Sequence, residues 1–204
     1  MSDLSTPKRG RPGYDRAAIL EIAVLAFNEH GYDATSMGVL ASRLNLSKAA
    51  IYHHFSSKEE LLQFALNHAL GGLEELLLEP AATTGPAIDR LSHVLRGAVL
   101  MLADRLPYVT LLLRVRGNSP TERDALTRRK SFDRSVALLV SAARDAGSLR
   151  ADIDPATVTR LLFGMVNSLT EWYQPTGPAD AAHLADDVLA LALNGLRTPS
   201  TSRE

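Results

Sequence analysis

The sequence predicts an all-α chain of about nine helices, three short ones first and longer ones after. Three observations lead there. Apolar residues recur at three- and four-residue spacing along most of the chain, and strand-like alternation is convincing nowhere. The chain is 46% apolar but only 5% aromatic, so its core is aliphatic and drawn from helix-favouring Leu and Ala. Ser, Asp, Gly and Pro interrupt the apolar runs where helices start and stop.

Asp15 to His30 reads as the first helix, with Ile19, Ile22, Ala23, Ala26 and Phe27 on one face and Gly31 as its stop. A second runs from about Ser36 to Leu44 and shares Met37, Leu40, Ala41 and Leu44 on one side. Asn45 follows where a tight turn needs positive φ, which Asn tolerates better than most residues. Ser47 is an N-cap for a third helix through His53 that buries Ala50 and Ile51. Ser57-Lys58-Glu59-Glu60 has capping-box spacing and opens a fourth helix to about Glu79. Ala81 to Pro86 is expected as a loop. Ala87–Leu106 is a helix that Pro107 ends or kinks, and Tyr108–Arg116 is a short one closed by Gly117. Ser119-Pro120-Thr121-Glu122 opens a long helix to Gly147. Asp154-Pro155 starts the next, to about Tyr173, and Pro178–Leu196 is the last.

Composition excludes several classes. With no cysteine there is no disulfide, Cys-zinc site, iron–sulfur cluster or thiol catalysis. No run approaches the roughly 18 apolar residues of a membrane span. The first 16 residues lack the apolar core of a signal peptide, so a cytoplasmic location is expected. Residues 1–58 carry seven Lys or Arg against five acids, and the remainder carries 15 against 18. Three of the seven cations, Lys8, Arg9 and Arg11, fall within four residues. A basic start on an acidic body suits an anion-binding module on a larger scaffold.

No enzyme signature is present: no GxSxG, P-loop, HExxH or GxGxxG after a strand. Catalysis, cofactors and metal are therefore not expected. His53 and His54 are neighbours that diverge by about 100° on a helix, which does not make a metal site. Glu59-Glu60, Glu74-Glu75 and Asp186-Asp187 read as solvated helix faces, as does the run Arg123, Arg128, Arg129, Lys130 and Arg134.

The helices at 36–44 and 47–53, joined by a tight turn, form a helix-turn-helix candidate. Ala41 is small where the two must cross closely, and Leu46 plugs the turn into the core. Lys48, Ala49, Tyr52 and His53 lie on the outer face of the second helix. Ala49 lets that helix approach base edges, while Lys48 and Tyr52 reach bases or phosphates.

The run AILEIAVLAFNEHGYDATSMGVLASRLNLSKAAIYHHFSSKEELL, Ala18 to Leu62, closely resembles the DNA-binding domain of TetR-family transcriptional regulators. The matching elements are Phe27…Gly31-Tyr32, Thr35-Ser36, Leu40-Ala41 and Ser47-Lys48-x-x-Ile51-Tyr52-His53-His54-Phe55-x-x-Lys58-Glu59. Asn45 stands where the family usually has Gly. The resemblance implies a TetR-like fold: a flexible basic arm (1–13), a helix-turn-helix domain (14–58) and an effector-binding and dimerisation domain (59–204). It also implies a homodimeric repressor released from a palindromic double-stranded DNA operator by a ligand. By position, Thr35, Ser36, Tyr52, His54 and Lys58 are expected at phosphates, and Lys48, Ala49, Ala50 and His53 at bases. Arg9-Gly10-Arg11-Pro12 resembles an AT-hook core, which puts Arg9 and Arg11 in an A·T-rich minor groove.

Phe163-Gly164-Met165-Val166-Asn167, followed by Trp172-Tyr173-x-Pro175-x-Gly177, resembles regulators of lipid, steroid or aromatic catabolism that respond to acyl-CoA thioesters. Those regulators tend to carry Arg near the Trp-Tyr pair, where this chain has Glu171 and Gln174. The expected effector is small and hydrophobic, with an acyl-CoA thioester as its specific form. A regulator of drug efflux sensing neutral hydrophobic compounds and a ligand-free architectural DNA-binding protein are the alternatives. The expected pocket lining is Leu95, Val99, Leu102, Leu106, Leu112, Phe163, Val166 and Trp172, with Asn167 inside and Arg114 or Arg116 near an entrance. The helices at 155–173 and 178–196 are apolar nearly all round, which predicts a two-fold dimer built from them.

Overall fold

The structure, a computed structural model, describes residues 15–177 and 179–196. Ten helices and no strand are present among the described residues. They divide into two compact units, Met1–Leu61 and Leu62–Glu204, with the division inside the fourth helix.

The first unit holds α1 (Arg16–His30), α2 (Met37–Leu44), α3 (Lys48–His54) and the start of α4 (Lys58–Leu76). Each of the first three is capped by the side chain of the residue before it. Asp15 accepts from the amide of Ala18 at 2.8 Å, Ser36 from Val39 at 3.2 Å and Ser47 from Ala50 at 3.1 Å. α1 is the longest of these three; its Ile19, Ala23, Val24 and Phe27 are buried, as are Leu40, Leu44, Ile51 and Phe55 of the elements that follow. Asn45 ends α2 at φ 52° and ψ 41°, the left-handed conformation expected of it. It is the one non-glycine with positive φ among the described residues.

The second unit is organised on α6 (Ala87–Asp104), which packs on α5 (Pro80–Thr83), α7 (Leu106–Arg114), α8 (Pro120–Asp145), α9 (Pro155–Trp172) and α10 (Ala181–Leu196). Leu91, Val94, Leu95, Ala98, Val99 and Leu102 are its buried stripe. α4 and α6 approach closely at glycine: a methyl group on Gly97 would fall 2.5 Å from a Leu76 methyl.

Two details differ from the sequence-based expectation. The stretch expected as a loop at 81–86 begins as the helical turn α5. Pro80 sets the backbone of its first position, Ala82 is buried, and the Thr84 hydroxyl bonds the Pro80 carbonyl at 2.7 Å. α6 ends at Asp104, short of the expected Leu106, and Pro107 falls in the first turn of α7, where a residue has no helical partner for its N–H to lose. The start expected at Pro178 lies outside the described residues, and α10 is described from Ala181.

In the first turn of α8, Glu122 is 5% exposed and one carboxylate oxygen accepts three backbone N–H groups. They come from Arg116 at 2.9 Å, Gly117 at 2.7 Å and Asn118 at 3.0 Å. A side chain expected only to complete a helix cap thus holds the whole α7–α8 connection, including Gly117 at φ 90°.

Two stability measurements follow. Glu122→Ala leaves three part-buried donors without an acceptor and is expected to lower the urea-unfolding free energy by about 2 kcal/mol or more. Asn45→Ala is expected to cost about 1–2 kcal/mol, and Asn45→Gly next to nothing, because only the former introduces left-handed strain.

Candidate functional site

α3 has seven residues and two unlike faces. Ile51 is fully buried and Phe55, just past the helix, is 1% exposed. Lys48, Ala49, Tyr52 and His53 are exposed on the other side, while Ala50 and His54 are half-buried. The His53 and His54 rings meet edge-on, 5.3 Å apart. The tight turn is held by the Leu46 amide donating to the Ala41 carbonyl at 2.9 Å. Leu46 is half-buried and Ala41 is buried. The Lys48 stem lies over Gly38 of α2: a methyl group there would sit 3.1 Å from Lys48 Cε.

The cations of this unit are not equally available. Arg43 makes a two-pronged pair with Glu29, its Nη2 reaching Oε1 at 2.6 Å and its Nη1 reaching Oε2. The Arg43 hydrogen bonds hold the Glu29 carboxyl below its ordinary range. Arg16 pairs with Glu60 at 2.9 Å and lies over the Phe55 ring, 4.7 Å from its centre. Hydrogen bonds from the Ser56 hydroxyl and amide, with Arg16 nearby, hold the Glu60 carboxyl low. Lys48 is exposed and has no carboxylate partner among the described residues.

Two residues expected at phosphates already have partners within the protein. Thr35 is fully buried, and its hydroxyl donates to the Gly31 carbonyl at 2.8 Å, so its side chain ties the α1–α2 corner together instead of facing a ligand. Lys58 Nζ donates to the Tyr32 carbonyl at 2.8 Å and lies 4.2 Å from the Tyr32 ring centre, so its charge is partly engaged at the same corner. Ser36 remains exposed beside its capping bond. Arg9 and Arg11 lie outside the described residues.

In the second unit a cavity of about 530 Å³ opens between α4, α5, α6 and α8. Leu77, Leu78, Ala82, Phe132, Leu138 and Leu139 give it apolar walls; Glu74, Arg90, Arg128, Thr83, Ser131 and Ser135 give it polar ones. None of the residues expected to line a pocket lines it. Leu95, Val99, Leu102, Leu112 and Val166 are buried core, 3% exposed or less, and Leu106 is half-buried. Phe163 is half-buried and packs edge-on against Phe132 at 5.3 Å, one layer behind the cavity wall. Asn167 is half-buried on α9, and Arg114 and Arg116 are exposed at and beyond the end of α7. Trp172 is 55% exposed at the end of α9.

Glu74 and Arg128, expected on solvated helix faces, meet in the wall of this cavity. Arg128 forms a two-pronged pair with Glu74, with Nε–Oε1 and Nη2–Oε2 both at 2.8 Å. Asp186, also read as solvated, receives Arg96 at 2.8 Å. The signal available in sequence was Leu77-Leu78 just past α4 and Leu138 on α8. Leu78 is 78% and Leu138 71% exposed. On α9 and α10, Leu161, Met165, Trp172 and Leu191 are exposed large apolar residues. No group of three or more His, Asp or Glu side chains suited to a metal ion occurs among the described residues. Nor is any helix among them long and apolar enough to cross a membrane.

Comparison with known proteins agrees across the chain. Residues 13–64 match the family model described as bacterial regulatory proteins, tetR family, and residues 84–196 match the Tetracyclin repressor-like C-terminal domain. The chain is 28% identical to the HTH-type transcriptional repressor KstR2 of Rhodococcus jostii, over 97% of each chain. It is 45% identical to a TetR transcriptional regulator family member from Streptomyces coelicolor A3 whose crystal structure is known; the TM-score is 0.84, covering 93% of this chain and 94% of that one. It is also 26% identical to AibR, solved in complex with isovaleryl coenzyme A and operator DNA; the TM-score is 0.73, covering 86% and 96%. The chain therefore belongs to the TetR family of DNA-binding transcriptional regulators, which are not enzymes.

Proposed function

We propose that the chain is a homodimeric repressor that reads a near-palindromic operator through α3 and leaves it when a small hydrophobic effector binds. The observation that carries effector response is the cavity of about 530 Å³ between α4, α5, α6 and α8, within the size range of small-molecule sites. An acyl-CoA thioester is the specific form of the proposal, supported by the relative solved with isovaleryl coenzyme A and operator DNA. Repression is supported by the name of the relative from Rhodococcus jostii.

On DNA, Lys48, Ala49, Ala50 and His53 meet base edges, and Ser36, Tyr52, His54 and Lys58 meet phosphates. Arg9 and Arg11 follow the minor groove beside the operator. The dimer forms through α9 and α10, whose exposed Leu161, Met165, Trp172 and Leu191 are covered by the same residues of a second copy. α4 begins in the DNA-binding unit and lines the cavity at Glu74, so an effector that moves α4 changes the operator-binding state. A preference of a few kcal/mol for the released state is enough to empty the operator.

The operator is recovered by selecting random duplexes on the full chain, and binding is then followed by fluorescence anisotropy. Two half-sites about one helical turn apart and a dimeric mass in sedimentation are expected. Long-chain acyl-CoA thioesters are expected to release the operator at concentrations where coenzyme A alone does not. A monomer on DNA, or an operator complex indifferent to every thioester and neutral hydrophobe tried, contradicts the proposal. Lys48→Ala is expected to relax base preference at one position. Thr35→Val is expected to cost about 1 kcal/mol of stability while the slope of affinity against salt stays unchanged, since its hydroxyl contacts no phosphate.

A further inference from the structure

α4 carries two consecutive glycines, Gly71 and Gly72, in the interior of its 19 residues, and it runs through them without a break. Glycine is the poorest helix former after proline, and a glycine pair is one of the few places at which helices kink. The two glycines do not have the same cause. A methyl group on Gly72 would fall 2.7 Å from Arg105 Nη1 and 3.1 Å from Met101 Cγ, so Gly72 is the gap through which Arg105 reaches α4. A methyl group on Gly71 would meet nothing within 4 Å, and Gly71 does not have positive φ. Neither packing nor backbone conformation requires glycine at that position.

Two arginines from outside α4 hold it at this point. Arg105, the residue between α6 and α7, donates from Nη1 to the His68 carbonyl at 2.7 Å. That carbonyl is the one an α-helix offers to the Gly72 amide. The His68 ring lies 4.5 Å from the ring of Tyr108 on α7. Arg128 of α8 spans the glycines. Its Nη1 donates to Asn67 Oδ1 at 2.5 Å on one side, and its Nε and Nη2 hold both oxygens of Glu74 at 2.8 Å on the other. Asp124, one turn back on α8, adds a longer contact to Arg128 at 3.9 Å. One guanidinium thus fixes the separation of Asn67 and Glu74, two turns apart on α4 with Gly71-Gly72 between them. A planar fork with several donors can do this; a point charge cannot.

We propose that Gly71-Gly72 is a bending point in α4, that Arg128 is the brace that keeps it straight, and that the state of this brace sets how tightly the chain holds its operator. A bend there changes the distance from Asn67 to Glu74, so one guanidinium cannot keep both partners once α4 bends. The part of α4 before Gly71 contains no other glycine and no proline, and it starts at Lys58 in the DNA-binding unit. That part therefore moves as one rod when the helix bends at the glycines. The brace itself needs no ligand; only its use by an effector rests on the reading proposed above.

The test is amide hydrogen exchange along α4 of the full chain, read residue by residue as protection factors, together with affinity for the selected operator. In the parent chain, amides 71–75 are expected to be less protected than amides 64–68. Arg128→Gln removes charge-assisted hydrogen bonds and is expected to lower protection at 71–75 about tenfold while 64–68 stay unchanged. Gly71→Ala has room for its methyl group and is expected to raise protection at 71–75 about two- to fivefold. Operator affinity is expected to fall several-fold in Arg128→Gln and to recover when Gly71→Ala is added, a coupling that a merely structural Arg128 does not produce. If Arg128→Gln does not fold, Asn67→Ala cuts the brace on one side only and is expected to act in the same direction, less strongly. Protection at 71–75 that matches 64–68 and ignores both substitutions overturns the bending point. So does a loss in Arg128→Gln that spreads evenly over α4 and α6. Local exchange changes with operator affinity constant in every variant overturn the link to DNA. None of these readouts uses an effector, so they succeed or fail separately from the effector reading, which fails when no ligand releases the operator.

Discussion

A helix of seven residues cannot hold its own shape in water, because isolated helices shorter than about 12–15 residues are marginal even in favourable sequences. α3 is such a helix, and the DNA-facing part of this protein depends on how it is docked. Ile51 and Phe55 bury its inner side, and it packs on α2. Ser47 caps its start, and the left-handed turn at Asn45 sets the angle at which it leaves α2. With the inner side immobilised, the outer side presents Lys48, Ala49, Tyr52 and His53 as a fixed pattern. That is what a reader of base edges needs, since every loose side chain costs entropy when it is ordered on DNA.

The same economy governs the polar groups around it. Thr35 and Glu122 are buried because each satisfies backbone that a helix end leaves open: a carbonyl at the end of α1 and three amides before α8. Arg43 and Arg16 are matched to Glu29 and Glu60, so a count of cations in the first 58 residues overstates the positive charge offered to DNA. In the second unit the pairing spans helices, since Arg128 of α8 holds Glu74 of α4 in two-pronged fashion.

The helix-turn-helix was legible in sequence because its determinants are local. Asp15, Ser36 and Ser47 are caps whose partners lie three residues away, and Asn45 acts on its own backbone. The cavity was not legible, for the converse reason. Glu74 and Arg128 are 54 positions apart, and nothing in either segment indicates that they meet. Leu95 and Val99, expected in a pocket, follow the same periodicity as the core residues they are, and period alone does not separate an enclosed wall from a filled one. Thr35 is expected at a phosphate by its position in the family motif, and its burial with the hydroxyl on the Gly31 carbonyl is a tertiary contact that a motif does not display. Trp172 shows the limit from the other side, as an aromatic expected inside that stands 55% exposed.

The central claim is that the outer face of α3 reads operator DNA from the major groove. Dimethyl sulfate protection of the selected operator tests it most directly, because the reagent marks guanine N7 in the major groove and adenine N3 in the minor groove. The account predicts protected guanine N7 positions in both half-sites, with that protection lost at one base pair in Lys48→Ala. Protection confined to adenine N3, with every guanine N7 still reactive, contradicts it.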